Sequence, residues 1–133
     1  MRLVALAVLA LTLAVPASAA SVTAKLTASS PRATVGEPWR YTVTVRSRGK
    51  PVAARMRLQI LLGRTVVGCW KGGTLAQCLD GSLGDWIAFR GKRMGVVRWP
   101  AESVGASLTF QALVTSHGRT LRLRVPVRVQ PAG

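Results

Sequence analysis

The sequence predicts an all-β domain: a sandwich of two antiparallel sheets, about seven to eight strands in all, preceded by a short N-terminal signal-peptide helix. Three observations predict it. Apolar residues recur with period two over most of the chain after residue 20. Clusters of Gly, Pro and Ser interrupt that alternation every 8–12 residues. No stretch beyond residue 20 shows helical spacing of apolar residues for two turns.

The first twenty residues form a segment of their own. Arg2 supplies a positive start, residues 3–15 are uncharged and nearly all apolar, and Pro16 precedes the small-residue run Ala17, Ser18, Ala19. This is the pattern of a secretory signal peptide, with cleavage after Ala19 or Ala20. Thirteen apolar residues fall short of the roughly 20 needed to span a bilayer. No later stretch qualifies either, so no transmembrane segment is expected after cleavage. The product is expected outside the cytosol, secreted or held in the cell envelope, with one domain over residues 21–130.

The strands follow in order. Residues 22–28 alternate weakly. Residues 39–46 place Trp39, Tyr41, Val43 and Val45 on one face. Residues 52–62 place Val52, Ala54, Met56, Leu58, Ile60 and Leu62 inward, and Arg55, Arg57 and Gln59 outward. Gly63 and Arg64 lead as a tight hairpin into residues 65–70. Shorter strands are expected at 86–89 and 94–99. Residues 107–115 turn Leu108, Phe110, Ala112 and Val114 inward. Residues 120–129 give the clearest alternation: Leu121, Leu123, Val125, Val127 and Val129 face in, and Arg122, Arg124, Pro126 and Arg128 face out. Pro126 cannot donate to a ladder, so its strand is expected at an edge or with that position turned from its neighbour.

Residues 35–38 (Val-Gly-Glu-Pro), the run Tyr41, Thr42, Val43, Thr44, Val45 and the closing hairpin of residues 108–129 resemble the immunoglobulin-like and fibronectin type III-like modules of bacterial secreted proteins. The chain is also similar to small one-domain secreted proteins of high-GC Gram-positive bacteria. The antibody-type signature is absent, since no Cys lies on the strands that would carry an inter-sheet bridge. The resemblance implies architecture, and architecture does not imply function.

Cys69 and Cys78 are the only cysteines, an even count in a chain expected to be exported. A disulfide between them is expected. It would pin a Gly-rich excursion running to about Asp85. Trp70, Lys71 and Trp86 flank or sit within that excursion and form a candidate recognition loop, because loops fixed on a rigid scaffold often carry binding residues.

Several chemistries lack their residues. Zinc takes about four Cys, His or carboxylate ligands, and the chain has a single histidine, His117. No metal and no cofactor is expected. Exported copper carriers share this size and architecture but depend on N-terminal His and clustered Met, whereas the domain holds only Met56 and Met94. An enzyme is not expected, because the four acids Glu37, Asp80, Asp85 and Glu102 are scattered. A deep pocket lined jointly by Asp80, Asp85 and His117 would be needed to revive that class.

Charge carries the functional expectation. Loss of the leader removes only Arg2 from nineteen basic residues, leaving eighteen against four acids, a net +14. A field of one sign over so small a domain favours anionic partners. Fifteen of the nineteen bases are Arg and Asn is absent, which also fits a GC-rich coding bias. In an immunoglobulin-like sandwich the third and last strands share a sheet. Arg55, Arg57, Arg122, Arg124 and Arg128 would then stand on one outer face. Arginine grips phosphate and carboxylate groups through paired donors. The expected function is a non-catalytic binding module for an anionic cell-wall polymer, an anionic lipid or an acidic protein. Export and the lack of a stacking platform argue against nucleic acid. The alternative is a structural domain that docks another exported protein through an apolar patch near Trp70 and Trp86.

Overall fold

The computed structural model describes residues 21–133. The expected signal peptide lies outside the described residues. The described residues form eleven strands: β1 (Val22–Ala28), β2 (Arg32–Thr34), β3 (Pro38–Ser47), β4 (Lys50–Pro51), β5 (Ala53–Leu62), β6 (Thr65–Lys71), β7 (Thr74–Gln77), β8 (Ile87–Arg90), β9 (Lys92–Arg98), β10 (Ser107–Ser116) and β11 (Arg119–Gln130), with one 3-10 turn at Ala101–Ser103. The eight expected strands are all present. The three additions, β2, β4 and β7, are two to four residues long and too short to show a period of their own.

Two sheets pack face to face. The smaller joins β1, β3 and β9, with β4 closing a hairpin on the end of β3. The larger runs β2-β11-β10-β5-β6-β7. One edge of β5 is shared: β8 pairs with residues 53–56 and β6 with residues 59–62. The strands pair antiparallel except β2 with β11, and an isolated bridge of Val104 with Val129 is also parallel. The unequal sheets leave the β6–β7 hairpin projecting beyond β9, the last strand of the smaller sheet.

Aromatic rings from both sheets meet at the centre. Trp39 on β3 packs edge-on against Phe110 on β10, ring centres 5.1 Å apart, and against Trp99 at 5.5 Å. Tyr41 lies 5.0 Å from the same Phe110 ring. Such pairs add about 0.5–1.5 kcal/mol beyond the area they bury. The indole N–H of Trp39 donates to the Ser30 carbonyl at 2.7 Å, so its polar atom is satisfied inside the core.

Local chemistry explains the joins. The β10–β11 hairpin turns on His117 and Gly118, both with positive φ (51° and 73°), as a two-residue turn matched to strand twist requires. His117 is thus an exposed turn residue. Pro126 meets the second form of its expectation: β11 lies between β2 and β10, but position 126 is turned from β10 and lies short of the residues that pair with β2. The Arg128 N–H donates away from β10, to Pro31, at 2.9 Å. Backbone groups two residues apart share a direction, so Pro126 lacks its N–H on the open side of β11. Gly95 on β9 lies beneath the Tyr41 ring, and a Cβ there would overlap it. Cys69 and Cys78 form the expected disulfide, Cα atoms 5.8 Å apart, both sulfurs buried. Closing so short a loop contributes about 2.5–3 kcal/mol in the chain-entropy estimate.

Three residues of β5 depart in exposure from the odd-even expectation: Gln59, expected outward, is buried at 2% beneath the loop that carries Leu83, and Leu61 and Leu62 exchange roles. Leu61, an outward position, is 6% exposed, while Leu62, expected inward, is 49% exposed. The chain after Cys78 folds back over the outer face and helps enclose the region around Leu61. Leu62 instead opens to the gap beneath the overhanging hairpin.

Candidate anion-binding face

The outer face of the larger sheet is set by register. On β10, Leu113 pairs with Arg122 on one side and Arg57 on the other, Gln111 with Arg124 and Gln59, and Thr115 with Thr120 and Arg55. Arg55, Arg57, Arg122 and Arg124 therefore share one face. Arg128 stands on the same face, further along β11 and opposite Ser107. Alternate residues on a strand stand about 6.8 Å apart and neighbouring strands about 4.8 Å apart. The backbone positions of these arginines are therefore spread over three strands rather than gathered at one point.

Trp86 joins this face from the loop before β8. The guanidinium carbons of Arg57 and Arg55 lie 4.4 Å and 4.9 Å from the centre of its ring. The π-face attracts both cations, and their alkyl stems shield the indole. Arg57 Nε is buried with no acceptor among the described residues.

Below the arginines runs a directed hydrogen-bond chain. Arg124 Nε donates to Gln111 Oε1 at 2.6 Å, Gln111 Nε2 to Gln59 Oε1 at 2.8 Å, and Gln59 Nε2 to the Leu83 carbonyl at 2.8 Å. Arginine can only donate and a carbonyl can only accept, so the two ends fix which way both amides point. Gln59 and Gln111 are 2% and 3% exposed, and the network lets two polar side chains lie buried at little cost. They floor a basin of about 450 Å³ whose walls include Arg64, Arg122, Arg124 and Leu83.

The expected recognition loop divides. Trp86 belongs to the basic face. Trp70 sits half-buried against the hydrophobic core, paired with Leu75 across the β6–β7 hairpin. Lys71 lies 3.9 Å from Asp80, with both side chains largely exposed, so the pair contributes little stability. The Asp80 carboxyl is held below its ordinary value by the Ser82 N–H it accepts, and secondarily by Lys71. Asp85 accepts from the Gly72 N–H at 3.0 Å. Both acids thus organise the loop. Neither this basin nor the inter-sheet gap is lined by Asp80, Asp85 or His117.

Arg64, Gln59, Gln111 and Leu83 escaped sequence reasoning as site residues. Arg64 reads as a turn residue, and Leu83 enters through its backbone oxygen, which no side-chain pattern reveals. Gln111 was legible in principle, as a polar residue amid an apolar strand.

None of the five face arginines forms an ion pair among the described residues, where the Lys71–Asp80 pair alone meets the distance for one. No group of three or more His, Cys, Asp and Glu side chains lies close enough to hold a metal among those residues. No described helix is long and apolar enough to cross a membrane. No protein-family model matches the chain, and no curated protein matches it.

Proposed function

We propose that this chain is an exported immunoglobulin-like module that holds an anionic polymer of the cell envelope on the outer face of its larger sheet. The parallel pairing of β2 with β11 and the placement of β5, β10 and β11 in one sheet support the immunoglobulin-like assignment. The single observation carrying the function is the basin of Arg64, Arg122 and Arg124 over buried amides, continued by Arg55 and Arg57 on Trp86, with no carboxylate paired to any of them among the described residues. Unpaired guanidinium groups on rigid strands bind anions without first breaking an internal ion pair. The disulfide and the N-terminal leader pattern support export.

The test separates this face from net charge. A variant with Arg64, Arg122 and Arg124 changed to Ser is compared with one carrying Lys25, Arg40 and Arg46 changed to Ser on the smaller sheet. Both lose three charges. On immobilised polyphosphate the first is expected to elute at clearly lower salt than the second, since exposed charges act within about 8–10 Å at physiological to 0.1 M ionic strength. Equal elution would reduce the interaction to overall charge and sink the proposal.

A further inference from the structure

The smaller sheet ends at β9 with an unused edge. β9 pairs only with β3. Its odd-numbered residues face β3, as two bonds fix: Val45 N–H donates to the Gly91 carbonyl at 2.8 Å and Gly36 N–H to the Trp99 carbonyl at 3.1 Å. Peptide groups alternate sides along a strand. The N–H and C=O groups of Met94, Val96 and Arg98 therefore point away from β3, and none has a backbone partner among the described residues.

An apolar groove of about 280 Å³ lies beside that edge, beneath the overhanging β6–β7 hairpin. Leu62, Val67, Leu75, Leu79, Val97 and Trp99 line it. Leu79 is 70% exposed and Leu62 49%. Trp99 is 2% exposed, yet its Nε1 is buried without an acceptor among the described residues. An unpaired strand edge and an uncovered apolar surface adjoin, and one kind of object meets both needs: another extended strand. Its backbone would pair with Met94–Arg98 and its alternate side chains would enter the groove.

Charge selects the occupant. Lys92, Arg93 and Arg98 lie on β9, against the single acid Glu102 at the groove. Two copies paired edge to edge about Gly95 would set Lys92 of one opposite Arg98 of the other, in molecules already strongly basic. The inward-turned Arg93 guards the other end of the edge. We propose that the 94–98 edge of β9 accepts an extended segment of a partner protein, apolar at alternate positions and flanked by acidic residues, as a fourth long strand of the smaller sheet. This does not depend on the anion-binding face.

The test uses the purified full chain and a fluorescent peptide, Glu-Glu-Val-Thr-Val-Thr-Val-Glu-Glu. Binding is expected below about 1 mM, with hydrogen exchange at the Met94 and Val96 amides slowed about tenfold or more at saturation. Val96→Pro deletes one outward N–H and leaves the β3 ladder intact. Leu79→Asp charges an exposed groove wall. Each should weaken the peptide by about tenfold or more while the thermal transition stays in place. An N-methylated peptide should not bind. No binding at 1 mM, binding indifferent to both variants, or slowed exchange that maps elsewhere overturns the proposal. So does slowed exchange at those amides in the protein alone with dimer formation, which would make the occupant a second copy.

Discussion

The guanidinium of Arg57 lies 4.4 Å from the centre of the Trp86 ring, on a face where Arg55 approaches the same ring at 4.9 Å. One indole thus organises two cations of the proposed site. Each contact contributes about 0.5–1 kcal/mol at an exposed position. Trp86→Ala is expected to lower the unfolding free energy by about 1–2 kcal/mol. A double-mutant cycle with Arg57→Ala in urea should return a coupling of about 0.5–1 kcal/mol. Purely additive effects would mean the stacking has no energetic content.

The amide chain from Arg124 to Leu83 predicts an asymmetry. Gln111→Leu strands the Gln59 carbonyl oxygen and Arg124 Nε, at about 1–3 kcal/mol. Changing both Gln59 and Gln111 to Leu removes both amides together and should cost less than the sum of the single changes. Arg124→Glu puts an acceptor at each end, so one oxygen must face another whichever way the amides turn. It should be more destabilising than Arg124→Ala, as chemical denaturation would read.

Gly95 is required by the close approach of Tyr41. Gly95→Ala forces the two apart and should destabilise the domain by about 1–3 kcal/mol, the range for an over-packed interior. Restoring space with Tyr41→Leu in the same chain should recover part of that loss relative to the sum of the two changes. Melting temperatures of the four proteins decide it.

Tyr41 also predicts a response to alkali. Burial raises its phenol above the ordinary 10.0, offset in part by the nearby charge and hydrogen bond of Arg93. A raised value means the folded state holds the proton more tightly than the unfolded chain. The associated stability is complete below about pH 10 and is lost as pH rises through the folded value. Tyr41 is the only tyrosine, so phenolate absorbance titrates it alone. Its midpoint should lie above that of the urea-unfolded protein, and Tyr41→Phe should remove that part of the alkaline stability loss.

The sandwich was legible because both faces of its long strands differ: Trp39, Tyr41, Val43 and Val45 against Arg40, Thr42 and Thr44, and Val127 and Val129 against Pro126 and Arg128. The arginine face followed from the same alternation. The exchange of exposure between Leu61 and Leu62 was hidden. Their burial depends on a loop folding over one face and a hairpin projecting past the other, and neither is local to residues 61 and 62. Trp70 and Trp86 looked equivalent, flanking one excursion, until strand pairing turned them to different environments. Gln59 and Gln111, 52 positions apart, could be joined only by strands meeting in space.

Pro126 has a consequence for how these molecules behave in a crowd. Fibre growth by sheet continuation needs two compatible rims on every subunit, because each newcomer must offer a place for the next. The imide nitrogen breaks the row of donors on one rim of the larger sheet, between the arginines at 124 and 128. A strand of another copy arriving there meets a missing bond and like charge together, which disfavours continuation of the sheet through that rim.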